Sequence, residues 1–372
     1  MDFHIIANSG ESRAGELRIR NLIIETPIFM PIATRGSVRT IKMHEVAQIG
    51  YKLILSNTYH FIDRPGAEKI AEAGRWHSWT GWSGALLTDS GGFQAFSLGG
   101  LRRFTEEGII FKSVVDGRNL KFTPESVIRA QSEIGSDIMM PLDHCPPLPA
   151  SSNLIRESVE RTTRWAERAM NTWKDLSKER KDKSSLFLIV QGGVDVKERF
   201  HSLNALKNLG ADGYALGGLA VGESFEERSY IIKEIAPFLP KYKPRYVMGV
   251  GYPEDIVTAV RSGIDMFDCV IPTREARHGR LYRWTEPGKG RQLLKELWYE
   301  TISIHKSEWR SNHDCIPYAP FKGWGVRWDY LSYLYSLGDE NAHSIGTYMN
   351  LQFYFELMQH LRRKICDGTL LD

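Results

Sequence analysis

Where the apolar runs of this chain stop, they stop on residues that can do chemistry. The runs are Pro27–Ala33, Lys52–Asn57, Ala85–Asp89, Asp137–Asp143, Phe187–Gln191, Gly213–Gly218, Tyr246–Gly251 and Met266–Ile271. They deliver Asn57, Asp89, Asp143, Gln191, Gly217-Gly218, Met248-Gly249 and Asp268 at or near their ends. A carboxylate in an apolar segment is costly unless it is paired or used. Asp268 is such a carboxylate; Pro272 ends its run, and Arg274 and Arg277 follow. Two readings stay open for it. It is a buried acid salt-bridged to one of those arginines, or a reactive carboxylate beside arginines placed to grip an anion such as phosphate.

Three carboxylates, two amides and flexible Gly-Gly backbone describe a pocket for a flat heterocycle with donor and acceptor edges. Asp143 could accept from an N–H pair, and Gln191 offers both a donor and an acceptor. Backbone groups near Gly218 and Leu219 can approach closely because glycine has no side chain. Phe93 and Met248 could enclose the ring. Asp268 could then attack a sugar carbon, as carboxylates do in retaining glycosyl transfer, with Asp89 moving the proton.

These residues need elements that bring them together. Eight continuous apolar runs alternate with helix-like segments, including 126–135, 158–176, 196–209, 224–236 and 253–262. That rhythm predicts an α/β fold of the (β/α)8 TIM-barrel kind, with chemistry at the carboxyl ends of the strands. No GxGxxG follows the first run, which argues against a dinucleotide fold. Residues 3–26 alternate around Gly10, Gly15 and Asn21, predicting an N-terminal antiparallel sheet with turns. Residues 104–120 read as a hairpin insertion after the third strand, turning at Asp116-Gly117. The barrel with its N-terminal sheet is expected over 1–295. An appended aromatic-rich subdomain is expected over 296–348. A C-terminal helix packing on the barrel is expected over 349–372, its stripe set by Leu351, Met358, Leu361 and Ile365.

Composition narrows the class further. The 372 residues are 42% hydrophobic and 25% charged, as in ordinary globular proteins, and no run is long enough to span a membrane. The start lacks a signal-peptide layout, and Cys145, Cys269, Cys315 and Cys366 are widely spaced. A cytoplasmic protein without disulfides is expected. The net charge is only +3, but residues 272–295 hold seven Arg/Lys against two acids, interleaved with Tyr282 and Trp284. That is the pattern of a surface that tracks a nucleic-acid backbone.

At this point the chain resembles the tRNA-guanine transglycosylases, also called queuine tRNA-ribosyltransferases, of the bacterial type. The segments that carry the resemblance are TPIFMP (26–31), NTYH (57–60), DSGGFQAFS (89–97), FKSVVDG (111–117), QGG (191–193), GGLAVGE (217–223), RYVMGVG (245–251) and GIDMFDCVIPTREARHG (263–279). The resemblance implies exchange of the wobble guanine of G-U-N anticodons for a 7-deazaguanine through a covalent aspartyl-ribose intermediate. It implies Asp268 as nucleophile and Asp89 as general acid/base. Asp143, Gln191, Gly218 and Leu219 would bind the base, with Phe93 and Met248 stacking on it. Asn57 and Gln94 would lie near the ribose, and Arg274 and Arg277 would read the flanking uridines. Val221, with Cys145 beside Asp143, resembles members that take 7-aminomethyl-7-deazaguanine. His144 stands where the family's motif carries glutamate. The partners implied are tRNA, guanine and the deazaguanine base, with a homodimer whose contacts would involve Trp328, Tyr330, Tyr333 and Leu334.

One departure concerns metal. The family's appended subdomain carries a CxCxxC zinc motif with a later histidine. This chain keeps at most Cys315 of the cysteines and has Met349 before Asn350-Leu351. Four N or S ligands are needed for tetrahedral zinc. No zinc and no other cofactor is therefore expected, the unrelated set His305, His313, Cys315 and His343 being the alternative. A non-catalytic tRNA-binding subunit, or a transglycosylase acting on DNA or another RNA, is the alternative function.

Overall fold

The structure, a computed structural model, describes residues 1–92, 102–180, 184–285, 293, 298–318 and 320–370. Three antiparallel strands lead the chain: β1 (Asp2–Ser9), β2 (Ser12–Ile19) and β3 (Leu22–Thr26). Gly15 lies inside β2 rather than at a turn. Its amide donates to Thr26 Oγ1, and a side chain there would strike the Phe3 ring. Strands β4 (Ile28–Met30), β5 (Leu53–Ser56) and β6 (Ala85–Thr88) follow. A second antiparallel sheet comes next, of β7 (Arg102–Phe104), β8 (Ile109–Lys112) and β9 (Asn119–Phe122). The insertion is thus three-stranded rather than a simple hairpin, and its β8–β9 turn contains Gly117 at φ 75°.

The remaining parallel strands are β10 (Ile138–Met139), β11 (Ser185–Val190), β12 (Gly213–Leu216), β13 (Arg245–Val247) and β14 (Met266–Asp268). Eight strands run in the order β4-β14-β13-β12-β11-β10-β6-β5, all parallel. A bridge between Ile32 and Leu55 joins the two ends, through Ala33 N to Leu55 O at 2.7 Å and Leu55 N to Pro31 O at 3.0 Å. The sheet is therefore a closed barrel, which leaves no edge to protect. Each of the eight apolar runs overlaps one of its strands, six containing it whole and β11 and β13 beginning one or two residues before theirs. The last run is cut short: β14 ends at Asp268, and a helix over Ile271–Arg277 begins where Pro272 fills an N-terminal position that lacks a hydrogen-bond partner anyway.

The alternation of side chains divides two layers of core. Leu55, Leu87, Met140, Phe187, Ile189, Ala215, Tyr246 and Met266 fill the barrel. The same cluster takes in Leu17, Ile19 and Ile24, so the N-terminal sheet plugs the amino-terminal mouth. Phe29, Leu186, Leu188, Val190, Leu216, Val247 and Phe267 face outward onto the helices. Those helices are stopped and started locally. Thr123 caps the helix over Pro124–Ile134, Asp195 caps Val196–Lys207, and Ser224 with Glu227 forms a capping box for Phe225–Ile235.

After the barrel, β15 (Arg280–Trp284) and β16 (Tyr299–Ser303) form an antiparallel ribbon. Helices over Trp328–Leu337 and Glu340–Cys366 close the chain. The long helix extends the predicted stripe by several residues toward the N-terminus. Its fully buried Asn350 accepts from Tyr282 N at 2.9 Å and donates to Pro272 O and Arg280 O, tying it to the segment after Asp268. Tyr354 likewise donates to Gly251 O at 2.6 Å. Among the described residues, no helix is long and apolar enough to cross a membrane.

The plug is held by a buried ion pair. Arg13 of β2 donates to both carboxylate oxygens of Asp265, and also to Lys241 O and Lys243 O at 2.6 and 2.9 Å. Removing one partner leaves a buried charge unpaired. Arg13→Met is expected to lower unfolding stability by about 3–5 kcal/mol in urea titration, a loss that an exposed pair would not give.

Candidate active site

Asp268 lies at the carboxyl end of β14 and is 8% exposed. Tyr246, whose ring is inside the barrel, donates its hydroxyl to Asp268 Oδ1, and the Gly249 amide donates to the same oxygen at 2.9 Å. Burial raises the carboxyl's pKa, and these two hydrogen bonds pull it back by favouring the anion. Neither Arg274 nor Arg277 is its partner. The buried ion pair that one reading gave to Asp268 exists three residues earlier, at Asp265 with Arg13. Among the described residues nothing bonds Asp268 Oδ2, which leaves that oxygen for other work, the feature expected of a carboxylate that reacts.

Asp89, also 8% exposed, follows β6. It accepts from Asn57 Nδ2, from Thr58 N at 3.0 Å and from Gly91 N at 3.1 Å. Asn57 is thereby a partner of Asp89.

Asp143 and Gln191 meet across neighbouring strands. Gln191 Nε2 donates to Asp143 Oδ2 at 2.7 Å. Burial pushes the Asp143 carboxyl up to about 6, against the lowering effect of that bond. Gln191 is fully buried, yet among the described residues its Oε1 has no partner. An unsatisfied buried acceptor costs free energy unless a ligand meets it.

One cavity of about 510 Å³ joins Asp89, Asp143 and Asp268, with Gln191 fully buried behind Asp143 and not itself lining it. Asn57, Asp89, Asp143, Cys145, Gly218, Leu219, Met248, Asp268 and Arg274 all line it. Burial pushes the Cys145 thiol up to about 12, so it lines the cavity as a neutral group. Phe93 and Gln94 lie outside the described residues. Arg277 does not line the cavity. It is half-buried, donates to Thr273 O at 2.9 Å, and has its pKa lowered by burial and by the charges of Arg39 and Arg274. Arg39, on the loop after β4, is therefore a third cation close to Arg277 and Arg274, and sequence reading did not single it out.

Two buried arginines were also missed. Arg199 is 0% exposed and binds only carbonyls: Val190, Gly193, Gly217 and, at 3.3 Å, Gly218. One guanidinium thus joins the loops that present Gln191 and Gly218. Arg228 grips Asp255 through two nitrogens and Glu223 at 3.1 Å, while Glu223 accepts from the amides of Ala220 and Val221. That network fixes the cavity wall over 218–223. A signal for both existed in the sequence. Arg199 begins the stripe Arg199, Ser202, Leu203, Leu206, and Arg228 begins Arg228, Ile231, Ile232, Ile235, so each charge sits on its helix's apolar face.

The appended subdomain offers no fit for the zinc that the resemblance brings with it. Cys315 is exposed, Met349 is buried, and His313 is bound to Asp329 at 2.9 Å. Among the described residues, no three His, Cys, Asp or Glu side chains gather as metal ligands. Aromatic contacts occupy the region instead, with Trp309 and Trp328 centroids 4.9 Å apart and Phe321 and Tyr348 5.2 Å apart.

Fold and site define a barrel enzyme of the glycosyltransferase class, one that transfers pentosyl groups. The chain belongs to the queuine tRNA-ribosyltransferase family, whose model matches residues 8–372. It is similar to the queuine tRNA-ribosyltransferases of Marinobacter nauticus, at 41% identity over all of this chain and 95% of the relative, and of Thioalkalivibrio sulfidiphilus, at 43% with the same coverage. The Zymomonas mobilis enzyme of that name is 41% identical over 98% of this chain and 92% of its own.

Tyr246→Phe removes a hydrogen bond that favours ionised Asp268. Transfer should fall about 10–100-fold, the value of a hydrogen bond to a charged group. The acid limb of the pH–rate profile should move to higher pH, because the carboxyl's pKa rises without that donor. An unmoved profile would separate Tyr246 from the chemistry.

Proposed function

We propose that the protein exchanges the wobble guanine of G-U-N anticodon tRNAs for 7-aminomethyl-7-deazaguanine by double displacement. The observation that carries this is one cavity with a free-edged, doubly hydrogen-bonded Asp268 and, along its wall, Asp143 bound to an under-satisfied Gln191. In this reading Asp268 Oδ2 attacks C1′ of the ribose as the C1′–N9 bond breaks. Guanine leaves with the bonding pair and takes a proton from Asp89. The incoming base then returns its N9 proton to Asp89, attacks C1′ and frees Asp268. Asp143 and Gln191 hold the guanine edge, Gly218 and Leu219 supply backbone groups, and Met248 packs on the ring. Phe93 and Gln94 keep their proposed places at the ring and ribose. Arg274, Arg277 and Arg39 face the phosphates and uridines of an unpaired loop, with the target base flipped inward. The choice of base rests on Val221 and Cys145, which narrow the wall beyond the base.

The same reading places the enzyme in the cytoplasm with its tRNA, and as a homodimer. Tyr330 and Tyr333 are 51% and 57% exposed on one face of the helix over Trp328–Leu337, while Trp328 and Leu334 turn into the subdomain. Any self-association surface there is therefore the tyrosine face. We further propose that no structural zinc is bound, the aromatic contacts holding the subdomain in its place. Elemental analysis should find less than a tenth of an equivalent, roughly the background of a protein without a site; one tightly held equivalent contradicts this.

The main test uses unmodified G-U-N tRNA and labelled guanine. Label should enter the wobble position, and Asp268→Asn should abolish entry. Retention of wild-type exchange by that variant would remove Asp268 from the mechanism. The pH dependence is also set. Protonation turns one Asp143 oxygen into a donor and weakens its hold on N–H groups, so KM for guanine should rise about tenfold per unit below a pH of about 6.

A further inference from the structure

His144 lies between two residues of the cavity, Asp143 and Cys145, and is buried. Its ring stacks on Phe104 of β7, centroids 4.2 Å apart and planes at 27°. Its Nδ1 is 2.9 Å from Arg161 Nη1, on the helix over Ser152–Arg180. Its backbone amide donates to Thr162 Oγ1 of the same helix at 3.0 Å. Three parts of the molecule therefore meet at one imidazole: the inserted sheet, a barrel helix and the segment that presents Asp143.

The chemistry of that contact fixes the ring's state. Arginine has only donors and stays protonated. Nδ1 must then be the acceptor, so the ring is neutral and its proton is on Nε2. We infer that His144 is a positioning residue for the base-binding carboxylate and that it performs this role only as neutral imidazole. The inference rests on Asp143 binding the base as proposed above.

Protonating Nδ1 would leave two donors and two cations face to face, and the contact would be lost. Among the described residues the charged groups around it are few. Arg161 is bound to Glu157 at 2.6 Å and lies 3.9 Å from Glu106, which Arg164 also grips at 2.7 Å. Both acids are thus engaged first by arginines, Glu157 feeling the His144 ring less than it feels Arg161. Asp143 and Cys145 are its neighbours in the chain, and Phe104 and Thr162 bring no charge. A glutamate, as the family's motif has here, would pair with Arg161 at any pH above the carboxylate range. Histidine makes the same link conditional on pH.

The test compares wild type with His144→Glu, which restores an ionic partner, and His144→Phe, which keeps a ring on Phe104 but offers no acceptor. KM for guanine and kcat are measured from pH 8 to pH 5. Asp143 titrates in all three proteins and cancels in their ratios. The wild-type to His144→Glu ratio of kcat/KM should fall about tenfold per pH unit once the imidazole titrates, through KM rather than kcat. The His144→Phe to His144→Glu ratio should already be low at pH 8 and stay flat, at the value that the wild-type ratio reaches at pH 5. A flat ratio, or a loss confined to kcat, overturns the inference. A second readout needs no activity: in ¹⁵N-histidine-labelled protein at pH 8, the resonance pair missing from His144→Glu should show Nδ1 unprotonated and Nε2 protonated. A protonated Nδ1 also overturns the inference. Absence of exchange by all three proteins at pH 8 would instead defeat the proposed transglycosylase function, and the resonance pair would still decide the state of His144.

Discussion

Keeping a carboxylate charged in the mouth of a barrel costs free energy, because the anion gives up water. Asp268 meets that cost with a phenol and one amide on a single oxygen, which leaves the second oxygen open to the cavity. Much of the surrounding structure serves this arrangement. Tyr246 reaches it because β13 pairs beside β14 in register, Tyr246 opposite Met266. Gly249 reaches it because a residue at φ 73° turns its amide inward, a conformation glycine adopts without strain. The loop beyond is pinned from outside by Tyr354, and the helix after Asp268 by Asn350. The C-terminal helix is therefore part of the active site's frame although it lines none of the cavity.

A division of labour among charges follows from position along the strands. At the amino-terminal ends, Asp265 and Asp137 are consumed structurally, by Arg13 and by His77, Arg20 and the Leu86 amide. At the carboxyl ends, Asp143 and Asp268 are held, among the described residues, by a glutamine, a phenol and an amide rather than by a guanidinium, and Asp89 accepts from Asn57 and two backbone amides. An arginine there would lock the anion in an ion pair. Of the arginines near the site, Arg199 acts on neutral backbone, Arg228 is taken up by Asp255 and Glu223, and Arg274 lines the cavity. This distribution suits a site that must accept and release both a base and a polyanion.

Most of the barrel was legible because a parallel strand covered on both faces must be a short continuous apolar run. The polar residues ending those runs were legible for the same reason, since nothing in the core asks for them. The limits of the reading have equally physical causes. Strand β14 was read three residues too long because Cys269, Val270 and Ile271 are apolar, although they belong to a turn and a helix start. The insertion was read as two strands because a three-residue strand such as β7 has too few positions to show alternation. Arg13, Arg199 and Arg228 depend on partners far away in sequence or on backbone carbonyls, which no local pattern reveals. His144 was visible as a departure from its family's motif, but its partner Arg161 became identifiable only once the helix was placed against it.

The central claim is that Asp268 becomes covalently bound to ribose during exchange. It is tested most directly by denaturing the protein while it turns over G-U-N tRNA, digesting both polymers and mapping the adduct by mass spectrometry. The account predicts a ribose-linked ester on the peptide containing Asp268, lost when excess free guanine is added before denaturation. Turnover without an adduct at any carboxylate, or an adduct on Asp89 or Asp143, would contradict it.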